Sequence, residues 1–153
     1  MDLTPVPQDQ RGSLSTGVRW SIRPRLDSDG RYGRIEAVDL TTRKPLWTER
    51  QRAPQSSGVL ATAGGLVFSG GTPDRYFRAF DAATGEVLWQ QRTSSGVTGI
   101  PTTYSVDGTQ YVAVQSGWGI DSRGMQGRLN IARPGEFPEV PEGGSIWVFA
   151  LPR

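Results

Sequence analysis

The 153-residue chain carries a net charge of +2, from 17 basic and 15 acidic residues, and contains neither cysteine nor histidine. A disulfide framework, a thiol nucleophile, a zinc–thiolate site and an imidazole base are thereby excluded. The basic residues, all arginine except Lys44, lie scattered among acids without a block or stripe, which argues against a nucleic-acid surface.

With 20 glycines, 11 prolines and 35% hydrophobic residues, the chain favours many short elements joined by turns, and the expected class is all-β. No run of 18 apolar residues is present to span a membrane. The opening MDLTPVPQ has neither the basic nor the apolar region of a signal peptide, so no leader is expected.

Residues 1–32 are read as an irregular N-terminal connection or edge element. They hold Pro5, Pro7, Gly12, Pro24 and the turn DSDG at 27–30, with one apolar patch at 18–22. The acidic turn is read as a turn before it is read as a cation site. From Gly33 a period-two pattern appears: Ile35, Ala37 and Asp39 share one side of a strand, and Glu36, Val38 and Leu40 the other. A turn at 41–44 leads into a second strand at 45–50.

The same unit returns 42 residues later. RIEAVDLTTRKPLW at 34–47 aligns without a gap on YFRAFDAATGEVLW at 76–89, matching Ala37 with Ala79, Asp39 with Asp81, Thr42 with Thr84 and Trp47 with Trp89. Each copy is a β-hairpin. Gly85 supplies the residue for positive φ in the second, whereas Arg43 stands there in the first, so the two turns are expected to differ in geometry. The pattern itself has a structural reading: Ala leaves room for an indole, Asp accepts turn N–H groups, and Trp buries area between blades. Asp39 and Asp81 are accordingly turn acceptors and poor candidates for a base.

Two short strands, 59–62 and 66–69, flank the turn AGG between the hairpins. With the second hairpin they make four strands, the composition of one propeller blade, and the repeat length is that of such blades. A third unit begins at 98, with strands at 100–106 and 110–115 around Asp107-Gly108. Its next strand, at 145–151, is delayed by a Gly/Pro-rich segment read as a long functional loop at 117–143. No fourth strand follows. The expected fold is therefore an all-β partial β-propeller of about two to three blades in a truncated chain, the blades occupying 33–153.

At this point the residues resemble a family. AVDLTTRKPLW and AFDAATGEVLW are similar to the tryptophan-docking repeats of quinoprotein alcohol dehydrogenases. SSGVLATAGGLVFSGG, GIPTTYSVDGTQYVAVQSGWG and SIWVFALP resemble, in order, the C-terminal blades of the same enzymes. The resemblance implies an eight-bladed propeller that holds pyrroloquinoline quinone beside calcium or a lanthanide and oxidises alcohols in the periplasm. It also implies that the catalytic aspartate, metal ligands and disulfide belong to other segments, so no catalytic or metal-binding residue is assigned here. Two stretches correspond to cofactor contacts. Ser56 and Ser57 stand where the family has a stacking tryptophan before Gly58, and Gly117, Trp118 and Gly119 match a glycine-rich loop that reaches the quinone; Trp118 is the leading ligand candidate. The chain by itself is expected to be inactive and to need the remaining blades or self-association. The alternative is a quinone-free propeller module for protein binding, as in outer-membrane assembly factors with similar repeats.

Overall fold

A computed structural model describes residues 2–11, 17–55, 57–71, 73–118 and 122–151. Strands β1 (Asp2–Pro5) and β2 (Val18–Ser21) form an antiparallel pair within the N-terminal region. β3 (Gly33–Val38) pairs with β4 (Pro45–Gln51) as a two-stranded unit. β5 (Leu60–Ala61), β6 (Leu66–Gly70), β7 (Tyr76–Asp81) and β8 (Val87–Arg92) follow as a four-stranded antiparallel meander. β9 (Thr102–Val106), β10 (Thr109–Gly117) and β11 (Gly144–Ala150) make a three-stranded sheet in the order β11-β10-β9. One complete blade between two partial ones is a piece of a propeller.

The two repeat copies fold alike. In the first turn Arg43 N donates to Asp39 O at 2.7 Å and Asp39 N to Lys44 O at 3.0 Å; in the second, Gly85 N donates to Asp81 O at 2.9 Å and Asp81 N to Glu86 O at 2.8 Å. Arg43 has φ +57° and Gly85 φ +77°, so the expected difference in turn geometry is overturned. The reason lies in the aspartates. Asp39 Oδ1 accepts from the Thr41 and Thr42 amides at 2.8 and 3.4 Å, and Asp81 Oδ1 from those of Ala83 and Thr84 at 2.9 and 2.8 Å. This carboxylate clamp sets the turn and forces the left-handed residue even where that residue is arginine, a conformation that costs a side-chain-bearing residue about 1–2 kcal/mol. Both hairpins also shift register at the same place, between Ala37 and Val38 and between Ala79 and Phe80. The second shift lets the consecutive residues Ala79 and Phe80 both be buried.

The principal core lies between the four-stranded and three-stranded sheets. Phe68, Phe77, Ala79, Val97, Val112 and Val114 fill it, with Trp147 and Phe149 of β11 packed against them. Phe77 is fully buried and stacks on Phe68 and on Phe149, each at a centroid distance of 5.8 Å. Gly70 lets the buried Val97 pack against β6, because a Cβ there would lie 2.5 Å from Val97 Cγ1.

The segment between β10 and β11, read from sequence as a loop, contains an eleven-residue helix, α1 (Ser122–Ala132). Met125 and Leu129, one turn apart, put its apolar side against Ala53, Phe137, Ile22 and Tyr32. Arg128 lies over the Trp20 ring at 3.4 Å, and Arg52 over that of Phe137 at 5.0 Å. The helix thus leaves its own sheet and straps the β2 region and the end of β4. Pro134 and Gly135, the latter at φ +75°, end it. Gly124 and Gly127 inside the helix each cost about 1 kcal/mol of helix propensity, which hides it from a composition-based reading.

Candidate functional site

β10 delivers Trp118 to the foot of this strap. Gly117, the last residue of the strand, donates its amide to Gly96 O at 2.7 Å, and a Cβ on it would lie 2.9 Å from Gly143 O. Its lack of a side chain lets the start of β11 close against β10. Trp118 Nε1 donates to Pro141 O at 2.9 Å and to Val140 O at 3.1 Å. Pro141 O also accepts from Ser95 Oγ at 2.6 Å, while Ser116 Oγ accepts from the Ser95 amide at 3.1 Å. The indole edge is therefore fixed to a hydrogen-bonded frame, and the ring borders a cleft of about 530 Å³ between α1 and residues 139–142.

The rest of the cleft wall is polar. Arg123 pairs with Glu142 at 2.9 Å across its mouth. The buried Gln126 donates to Asn130 Oδ1 at 3.1 Å and Phe137 O at 3.0 Å, and Glu139 lies on the opposite wall. An aromatic face among amide and charged groups is suited to a flat, polar molecule. Sequence reasoning did not find Arg123, Gln126, Asn130, Glu139 or Glu142, because only the helix brings 123, 126 and 130 onto one side. The i,i+4 pair Gln126 and Asn130 was the one local signal.

Ser57 is occupied within its blade. Its Oγ accepts from the Gly70 amide at 2.8 Å and donates to Gly58 O at 3.0 Å. Ser69 Oγ accepts from Gln55 Nε2 at 3.0 Å beside it. Ser56 and Gly119, the other two candidates, lie outside the described residues. Of the described candidates, Trp118 alone carries an aromatic ring, which borders the cleft, and Gly117 shapes the strand end that presents it.

The aspartates of the repeat behave as turn acceptors. Backbone N–H donation from Thr41, with the Thr42 hydroxyl, holds the Asp39 carboxyl below the usual range, and donation from the Thr84 amide and hydroxyl does so for Asp81. An exposed carboxylate stabilised in its ionised form is a poor base. In the DSDG turn Arg25 takes Asp27 through two contacts, Nε to Oδ1 at 2.9 Å and Nη2 to Oδ2 at 3.2 Å. Among the described residues no group of three or more carboxylates converges as a metal site.

A 42-residue hairpin repeat, one complete four-stranded blade and its two partial neighbours define an arc of a β-propeller. The sequence profile of the PQQ family described as the glucose/ethanol/alcohol dehydrogenase β-propeller domain matches residues 26–112, and the chain belongs to that family. It is 41% identical over 144 residues to a quinoprotein ethanol dehydrogenase of Pseudomonas putida, covering 94% of this chain and 22% of the relative. With a quinohemoprotein alcohol dehydrogenase of Comamonas testosteroni it shares 47% identity over 112 residues, 71% of this chain and 16% of the relative. Among solved structures, a europium-containing methanol dehydrogenase superposes with a TM-score of 0.68 at 38% identity, over 79% of this chain and 23% of that one. The chain thus spans about a fifth of the length of these relatives.

Proposed function

We propose that the chain forms one arc of a quinoprotein alcohol dehydrogenase propeller and supplies cofactor wall rather than catalytic machinery. The observation that carries this reading is Trp118, an indole pinned by its edge to Val140 O and Pro141 O while its ring borders the cleft. Pyrroloquinoline quinone, with calcium or a lanthanide, supplies the two-electron chemistry of alcohol oxidation when bound. Trp118 would hold one face of the quinone, and the polar cleft wall would exclude bulk water from it. Ser57 does not stack; its hydroxyl closes the blade end at Gly70 instead. The ligands for the metal and the base for the alcohol proton lie in other blades, so the chain by itself is inactive and works with them, in the periplasm. Trp47 and Trp89 act in this arc as inter-blade docking residues.

A second reading, a quinone-free propeller module that binds protein, is favoured by the commitment of Ser57 within the blade. Titration with the quinone, with and without calcium, separates the two. The arc reading predicts saturable quenching of tryptophan fluorescence that Trp118→Phe alters and that Trp20→Phe leaves in place. Absence of quenching at any quinone concentration supports the binding module.

A further inference from the structure

α1 is used on two sides. At roughly 100° per residue, Arg123, Gln126, Gly127 and Asn130 fall within one arc and line the Trp118 cleft, whereas Met125, Arg128 and Leu129 fall on the nearly opposite arc. Leu129 is fully buried against Ala53 and Phe137, with Ile22, Tyr32 and Met125 packed round them. Arg128 lies over the Trp20 ring of β2 at 3.4 Å. One wall of the cleft is thus hung from the β2 region and the end of β4, while Trp118 follows β10 and is fixed to Val140 O and Pro141 O.

The two glycines of the helix divide in the same way. A Cβ on Gly124 would lie 2.8 Å from Arg128 Nη1, so the bare Cα one turn earlier is what leaves the guanidinium its place over Trp20. At Gly127, on the cleft side, a Cβ would meet nothing within 4 Å among the described residues. An eleven-residue helix with two interior glycines does not sustain itself in water. It keeps its shape because its far side is docked, and the stacking of a guanidinium on an indole is a directional part of that docking.

We propose that Arg128 and Trp20, with Gly124 seating the guanidinium, are positioning residues for the Trp118 cleft, an assignment that rests on the reading above that this cleft takes a planar cofactor. Docking of the N-terminal strand pair on one side of α1 and occupation of the cleft on the other are then one linked equilibrium. A ligand held between Trp118 and α1 binds the docked helix, so it tightens the Arg128–Trp20 contact by the same factor as that contact tightens the ligand. Neither Arg128 nor Trp20 lines the cleft. Their effect runs through the helix. Losing the contact should raise the opened fraction of α1 about tenfold, which is about 1.4 kcal/mol.

The test is amide hydrogen exchange on the 153-residue chain, read at residues 126–133. Arg128→Ala and Trp20→Leu should each speed that exchange about tenfold, and the double variant no further. Arg128→Lys and Trp20→Phe, which keep a cation and a ring, should stay within about threefold of the original chain. Gly127→Ala should slow exchange about fivefold through helix propensity, whereas Gly124→Ala, which displaces the guanidinium, should not slow it. Pyrroloquinoline quinone at nine-tenths occupancy should slow the same amides of the original chain about tenfold, since exchange then runs through the free tenth, and leave those of the four-stranded sheet unchanged. Equal slowing by the two glycine variants, unchanged exchange in Arg128→Ala, failure of Arg128→Lys to restore it, or acceleration spread evenly over the three sheets overturns the proposal. So does quinone that quenches Trp118 without slowing α1. Quinone that does not bind refutes the functional reading instead, and the Arg128, Trp20 and glycine variants then decide this one by their exchange alone.

Discussion

Gly85→Ala tests the contact between neighbouring blades, because two separable costs meet at that residue. Gly85 has φ +77°, and an alanine held there pays about 1–2 kcal/mol for the left-handed conformation alone. Its Cβ would also lie 2.6 Å from Trp47 Cδ2 and Cε3 and 3.0 Å from Cγ. These atoms are near the root of a side chain whose far end is tied to Ala82 O, so the ring cannot swing aside without losing that bond. Forcing a methyl group into such a contact costs about 1–3 kcal/mol more. Gly65 is the internal control: it has φ +78° and nothing within 4 Å of its Cβ position. Gly65→Ala should therefore lose about 1–2 kcal/mol and Gly85→Ala about 2–5 kcal/mol. In a Trp47→Ala background the cost of Gly85→Ala should return to that of Gly65→Ala, a coupling of about 1–3 kcal/mol. Urea unfolding of the four variants reads these differences directly, with equal m-values as the check on two-state behaviour. If Gly85→Ala and Gly65→Ala cost the same, or if removing Trp47 leaves the Gly85→Ala penalty intact, the indole does not bear on that turn and the reasoning fails.

Other outcomes follow from the same geometry. Arg43→Gly relieves a left-handed arginine held at φ +57° and should raise stability by about 1 kcal/mol in the same unfolding assay, whereas Arg43→Ala should leave it nearly unchanged. Phe77→Ala, which removes a fully buried ring stacked between Phe68 and Phe149, should cost about 3–5 kcal/mol or abolish the melting transition. Asp39 and Asp81 have folded pKa values depressed below the ordinary aspartate value of about 3.9. Their contribution is thus fully present above pH roughly 4 and is lost as the pH falls through the lower folded values. A thermal melt followed from pH 6 to pH 2 should show this loss, and Asp39→Asn with Asp81→Asn should flatten the acid limb.

The scaffold was legible in the sequence because its local chemistry is stringent. An aspartate that clamps two turn amides, a threonine beside it and a tryptophan five residues after that threonine recur at 42 residues, and each has one structural use. Arg43 misled because glycine marks positive φ only when nothing else enforces it; here the Asp39 clamp does. The helix escaped because Gly124 and Gly127 dilute its pattern and because its apolar side, Met125 and Leu129, packs on residues from 22 to 53 that lie far away in sequence. Trp118 could be singled out from its glycine-rich surroundings, but the polar wall opposite it depends on that helix. That β11 has no further neighbouring strand among the described residues was foreseeable from the strand count.

Segment exchange shows whether the proposed arc supports quinone-dependent oxidation when the propeller is whole. The chain replaces the matching 22% of the Pseudomonas putida quinoprotein ethanol dehydrogenase, and quinone-dependent dye reduction by ethanol is measured on the folded chimera. Turnover that requires added quinone and falls at least severalfold with Trp118→Ala is expected. A chimera that folds cooperatively and binds its metal, yet neither retains quinone nor oxidises ethanol, would contradict it.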